Sequence, residues 1–133
     1  MNRPTILLAE DNPVNQKVAA LRLKRLGYEV EVQPDGKRAI EAFQSSHHDI
    51  ILMDAQMPVM NGMEAASWIR ENVPADKQPK IFVMSATMIA EARQIWKSID
   101  VDGFIEKPVQ VDLLRQYLSD AAGDSDGDAG GSG

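Results

Sequence analysis

The chain contains no cysteine, which excludes a disulfide framework and any thiolate metal site. It also has no excess of basic residues: 14 Lys and Arg stand against 20 Asp and Glu, for a net charge of -6. Nucleic-acid binding needs clustered Lys and Arg to replace counterions, so direct binding of DNA or RNA by this domain is not expected. A cation or a basic partner surface suits it better. No apolar run approaches the roughly 20 residues that a membrane span requires, and nothing at the N-terminus reads as a signal peptide. A cytoplasmic setting is the simplest expectation. The 133 residues, 44% hydrophobic and 26% charged, suit a single globular domain. Such a chain buries about two-thirds of the surface its unfolded form exposes. Seven methionines offer adaptable packing.

Short apolar runs alternate with helical periodicity along the chain. Thr5 to Ala9 reads as a first strand ending at Glu10-Asp11. A helix follows, with Asn12 as cap, Pro13 in its first turn, and Val18, Ala19, Leu23 and Leu26 on one face; Gly27 stops it. Tyr28 to Val32 alternates apolar with charged residues, as a half-covered outer strand does, and Pro34-Asp35-Gly36 turns into a second helix running to about Ser46. Ile50 to Met53 is an unbroken apolar run, the mark of a strand covered on both faces, and it meets a lone acid at Asp54. The loop Asp54 to Gly62 carries turn signals at Pro58 and Asn61-Gly62, and a third helix covers about Met63 to Asn72. Ile81 to Met84 forms a fourth strand ending at Ser85-Ala86-Thr87, and a helix runs on to about Ile99. Gly103-Phe104-Ile105 is a brief fifth strand leading to Glu106-Lys107-Pro108, and Val111, Leu114 and Leu118 line the inner face of a fifth helix. This alternation requires an α/β fold whose parallel sheet is covered by helices on both sides, because right-handed crossovers place them there. The last eleven residues, 123–133, hold no large apolar side chain and read as a disordered tail or linker after a domain of residues 1–122.

Parallel strands all point one way, so the residues that follow strands one, three, four and five gather at one sheet edge. They are Glu10, Asp11, Asp54, Ser85 and Lys107. Each alone has a plain explanation, such as acids complementing a helix dipole or a serine in a turn. Three carboxylates, a hydroxyl and an ammonium together are hard to explain by packing. Two like charges about 4 Å apart repel by about 4 kcal/mol at an effective dielectric of 20, so the cluster calls for compensation beyond one lysine. With hard oxygen ligands only, Mg²⁺ is the natural cation. A carboxylate beside it can attack a phosphoryl group to give an aspartyl phosphate, with Lys107 and Ser85 stabilising the added oxygens.

LLAEDN, MDAQMPVMNG, MSA and GFIEKP occur in that order and in those structural contexts. Over about Pro4 to Leu118 the chain resembles the receiver domain of two-component response regulators, and most of all the receivers fused to hybrid histidine kinases. The resemblance implies a flavodoxin-like, CheY-like (βα)5 sheet of strand order 2-1-3-4-5. It implies Asp54 as phosphoacceptor, Asp11 as a direct Mg²⁺ ligand, Glu10 as a ligand through water, and the backbone carbonyl of Gln56 as a further ligand. Ser85 and Lys107 match the family's hydroxyl and lysine, and Phe104 matches its switch aromatic, with Ser85 and Phe104 reading out phosphorylation at the face of the fourth helix, fifth strand and fifth helix. The bond Lys107-Pro108 is usually cis in such domains. Gln56 and Thr87 occupy the two variable positions that tune dephosphorylation. The sequence departs from the pattern at Phe104, which lacks the hydroxyl of the Tyr in many relatives, and at Asp100, which stands where a glycine often ends the fourth helix.

The implied activity is a phosphorelay switch that takes its phosphoryl group from phosphohistidine of a kinase or a histidine phosphotransfer protein and catalyses only its own phosphorylation and dephosphorylation. The expected state is a monomer or a phosphorylation-dependent dimer. A free-standing single-domain regulator remains an alternative to an excised kinase receiver. From another class, an aspartate-nucleophile phosphohydrolase would carry a second acid two residues after its nucleophile, where this chain has Gln56. A flavodoxin-like cofactor binder would need a Gly- or Ser/Thr-rich phosphate loop after strand one, where acids stand instead. His47-His48 reads as a polar helix end, Met57, Met60 and Met63 as loop packing, and Trp68 and Trp96 as core or partial-core residues.

Overall fold

A computed structural model of the chain describes residues 4–57, 59–85, 94, 97–107, 115 and 116. Five strands form one parallel sheet of order β2-β1-β3-β4-β5: β1 (Thr5–Ala9), β2 (Glu29–Gln33), β3 (Ile50–Asp54), β4 (Lys80–Ser85) and β5 (Gly103–Glu106). Three helices connect the first four strands: α1 (Pro13–Arg25), α2 (Gly36–Ser46) and α3 (Gly62–Asn72). The expected fold class and strand order are those observed. The tail 123–133, the Lys107-Pro108 bond, Thr87 and Trp96 lie outside the described residues, as does most of the expected fourth and fifth helices.

Strand alternation divides the core in two. Leu7, Ala9, Ile51, Met53, Ile81 and Val83 face α2 and α3, where Ala39, Ile40, Phe43, Ala65, Ala66 and Ile69 meet them. Their neighbours Ile6, Leu8, Ile50, Leu52, Phe82, Met84 and Ile105 pack on the other side with Leu23 of α1 and with Tyr28. β3 is buried along its whole length, and each of its large apolar side chains contributes about 1.5–3 kcal/mol by leaving water. Its register is therefore strongly specified, since a one-residue slip would exchange the two faces.

The helices start where the sequence says they should. Asn12 Oδ1 accepts from the N–H groups of Val14 and Asn15 at 2.9 and 3.1 Å, and Asp35 Oδ1 accepts from that of Arg38 at 2.8 Å. Asn61 and Glu64 form a reciprocal capping box at α3, with bonds of 3.0 and 2.9 Å. At the sheet edge remote from Asp54, Arg70 ties α3 to the segment before β5. Its guanidinium donates to Asp100 O, Gln78 Oε1, Pro79 O and Asp102 Oδ2 at 2.7 to 3.0 Å. Asp100 adopts φ 67°, the left-handed conformation for which a glycine often stands at that position.

Candidate functional site

Glu10 follows β1 and Asp54 ends the neighbouring β3, and both are almost wholly buried, at 2% and 6% exposure. A buried carboxylate needs partners, and Lys107, just past β5, supplies them. Its Nζ donates to Asp54 Oδ2 at 2.7 Å and to Glu10 Oε1 at 2.9 Å. The second oxygens are also held: Asp54 Oδ1 accepts from the Gln56 N–H at 3.1 Å, and Glu10 Oε2 from the Asn12 N–H at 3.2 Å. The backbone is fastened around them. Ala55 N–H donates to Met84 O at 2.9 Å and Lys107 N–H to Ser85 O at 2.8 Å, so the chain leaving β3 and β5 is tied to the end of β4 in one rim.

One ammonium between two buried carboxylates leaves an excess of negative charge. Burial pushes the Glu10 carboxyl above its ordinary value, with the Asp54 charge adding to the effect, and the hydrogen bonds from Lys107 and the Asn12 N–H offset it only in part. Burial by itself would lower the Lys107 ammonium, but the hydrogen bonds and charges of Asp54 and Glu10 outweigh it and raise it. Asp11 is exposed at the mouth of the site, and carboxylate oxygens of Glu10, Asp11 and Asp54 all lie within 4.8 Å of one another. Those oxygens could hold a divalent cation. The donor set is all oxygen and its charge is under-compensated, which fits Mg²⁺ chemically.

Ser85 ends β4 beside this rim and is half-buried. Phe104 lies opposite Val83 in the β4–β5 register and packs on the α2–α3 side of the sheet. By strand alternation Ser85 and Phe104 share that face. The structure thus brings Glu10, Asp11, Asp54 and Lys107 into one cluster, with Gln56 bonded to Asp54 through its backbone.

Three features were not read from the sequence. Val14, Val18 and Leu21 form an exposed apolar stripe along α1, with Val14 at 68% exposure, whereas the spacing had placed Val18 on the inner face. Its signal was present as an i, i+4, i+7 pattern. His48 is buried, with Nε2 2.8 Å from Glu31 Oε1. Gly36 presses on Met60 and Asn61 in the loop after β3, and Gly62 on the backbone of Asp54 at the end of β3, contacts with no local signature.

The response regulator receiver domain profile matches residues 6–119. Histidine kinase 5 of Arabidopsis thaliana is 34% identical over 143 aligned positions, covering 88% of this chain and 15% of that protein. The autoinducer 1 sensor kinase/phosphatase LuxN of Vibrio campbellii is 36% identical over 115 positions, covering 86% of this chain and 13% of the kinase. The chain therefore spans only a small part of the curated relatives it matches. Among solved structures, the receiver domain of a sensor histidine kinase from Pseudomonas aeruginosa superposes with a TM-score of 0.83 at 31% identity, covering 92% of this chain and 99% of that one. That structure has a magnesium ion coordinated in its active-site cleft.

Proposed function

The chain belongs to the response regulator receiver domain family, and from that premise we propose that Asp54 accepts a phosphoryl group from phosphohistidine of a kinase or histidine phosphotransfer protein. Asp11, Asp54 and the backbone carbonyl of Gln56 would hold Mg²⁺ directly, and Glu10 through water. The observation that carries the reading is Asp54 itself: a buried carboxylate at a strand end, bonded by Lys107 and lying within 4.8 Å of two further carboxylates.

Bound Mg²⁺ would neutralise charge on the transferring phosphoryl oxygens. The chain's own groups do the rest. A carboxylate oxygen of Asp54 forms the new bond to phosphorus as the bond to the donor imidazole breaks, and the imidazole keeps the electron pair. Lys107 then exchanges a carboxylate oxygen for a phosphoryl oxygen, and the Ser85 hydroxyl donates to another. Drawing Ser85 inward opens space on the face it shares with Phe104, whose ring repacks. Two such arrangements differing by a few kcal/mol give a phosphate-controlled switch.

The α1 stripe supports a protein donor. A phosphohistidine must reach a carboxylate recessed in the rim, and the exposed Val14, in the first turn of the helix that follows Asp11, offers apolar footing near it. Relatives that are histidine kinases point to a hybrid-kinase origin, with residues 123–133 as a linker after a receiver of residues 1–122. Among the described residues no helix is long and apolar enough to cross a membrane, and a cytoplasmic setting belongs to the same proposal. Incubation with acetyl phosphate, with and without Mg²⁺, tests the chemistry by intact mass. One phosphate should be added, and only with Mg²⁺; no addition under either condition defeats the proposal.

A further inference from the structure

Gly36, the first residue of α2, has no positive φ, so backbone freedom does not account for a glycine there. Space does. A Cβ at Gly36 would lie 2.5 Å from the Met60 carbonyl oxygen, and 3.1 Å from both Asn61 O and Ala65 Cβ. Contacts under 3.0 Å to backbone require something to move. The Gly36 N–H donates to that same Met60 oxygen at 3.0 Å. Met60 and Asn61 close the loop that leaves Asp54 and carries Gln56. Two further bonds fasten that loop, Ala55 N–H to Met84 O at 2.9 Å and Gly62 N–H to Ala55 O at 3.3 Å. The Gly36 bond is the tie from α2, an element that contributes no residue to the rim.

We infer that Gly36 is a positioning residue for the phosphoacceptor loop: its missing side chain lets the start of α2 press on the Met60 carbonyl and holds the Gln56 carbonyl where the cation requires it. The inference rests on the proposed role of Asp54 and Gln56. A methyl group at position 36 would push the Met60 carbonyl away by about half an ångström or more. The displacement passes along a short loop whose other end is pinned at Asp54, so it falls on the residues between them. Supporting groups around a metal site typically change its affinity by about 10-fold or more when altered.

Gly36→Ala is compared with Ala39→Gly, which weakens the same helix about one turn on and leaves the Gly36–Met60 contact in place. Melting temperature reports stability, calorimetric titration reports the half-saturating Mg²⁺ concentration, and amide exchange in the metal-free protein reports the loop at residues 55–62. The expected result is an approximately 10-fold rise in half-saturating Mg²⁺ and faster loop exchange in Gly36→Ala, with Ala39→Gly destabilised but binding Mg²⁺ as wild type does. A lower melting temperature in Gly36→Ala with wild-type Mg²⁺ binding and loop exchange overturns the inference. Should Gly36→Ala fail to fold, exchange in the wild type decides: Mg²⁺ should slow the Gly36 N–H together with the loop amides, and an unchanged Gly36 N–H overturns the coupling. Metal binding and exchange are read without phosphate, so failure of the wild type to be phosphorylated at Asp54 counts against the proposed function alone.

Discussion

Replacing Lys107 with Met keeps much of the side chain's length and apolar stem but removes the cation bonded to Asp54 and Glu10. Two carboxylates at 6% and 2% exposure then face each other with no ammonium between them. At a separation of about 5 Å and an effective dielectric of 20, their repulsion is about 3 kcal/mol. Protonation limits this cost, because burial already pushes Glu10 upward. Breaking a buried pair costs about 3–5 kcal/mol, and the partial exposure of Lys107 brings the expectation for metal-free protein near neutral pH to about 2–3 kcal/mol. For a domain of this size that is roughly a 10 °C fall in melting temperature. Mg²⁺ should reverse it. Lys107 occupies oxygens on Glu10 and Asp54 that the cation would otherwise draw on, so Lys107→Met should gain more from added Mg²⁺ than wild type does, while accepting phosphate poorly. Melting curves in chelator and in excess Mg²⁺ provide the assay. A variant as stable as wild type in chelator, or one whose loss Mg²⁺ fails to reduce, would refute the charge-compensation argument.

Asp11→Ala should weaken Mg²⁺ binding, because it deletes a proposed direct ligand, whereas Lys107→Met should not; equal effects in a titration would contradict that assignment. Val59, 79% exposed, adopts φ 66°, a conformation that costs a β-branched residue about 1–2 kcal/mol. Val59→Asn, which tolerates it, should stabilise the chain by about 1 kcal/mol in chemical denaturation; lower stability would sink the strain argument. The Glu31 carboxyl is held below its ordinary value of 4.5, first by the hydrogen bond from Gln33, with burial opposing, and then by His48. Its contribution to stability is thus present above that value and lost as pH falls through the lowered one. Wild type should exceed Glu31→Gln in melting temperature near neutrality, and the gap should close on acidification; a gap that widens would overturn the sign. Ser85→Ala should still accept phosphate while losing the response of Phe104 to beryllofluoride by NMR, and an undiminished response would break the proposed coupling.

The sheet and the acid cluster were legible because they rest on short-range patterns. Four apolar residues running into Asp54 announce a buried strand and its end, and a parallel sheet sends every such end to one edge. Helix faces were less legible. α1 carries apolar residues on two faces, Ala19, Leu23 and Leu26 toward the sheet and Val14, Val18 and Leu21 outward, and period alone does not say which face the sheet covers. His48 escaped for another reason. His47 takes a left-handed conformation at φ 52° that ends α2, and the next side chain turns under toward Glu31, 17 residues away in β2. The Arg70 network and the Gly36 contact are likewise made between elements brought together by the fold. No local propensity encodes them.

Reducing the phosphorylated protein with borohydride converts an acyl phosphate to an alcohol, and peptide mapping then locates the residue that carried it. The account predicts homoserine at position 54 alone, formed only when Mg²⁺ was present with the phosphodonor, and none in Asp54→Asn. Modification at Glu10 or Asp11 instead, or undiminished phosphate incorporation in Asp54→Asn, would contradict it.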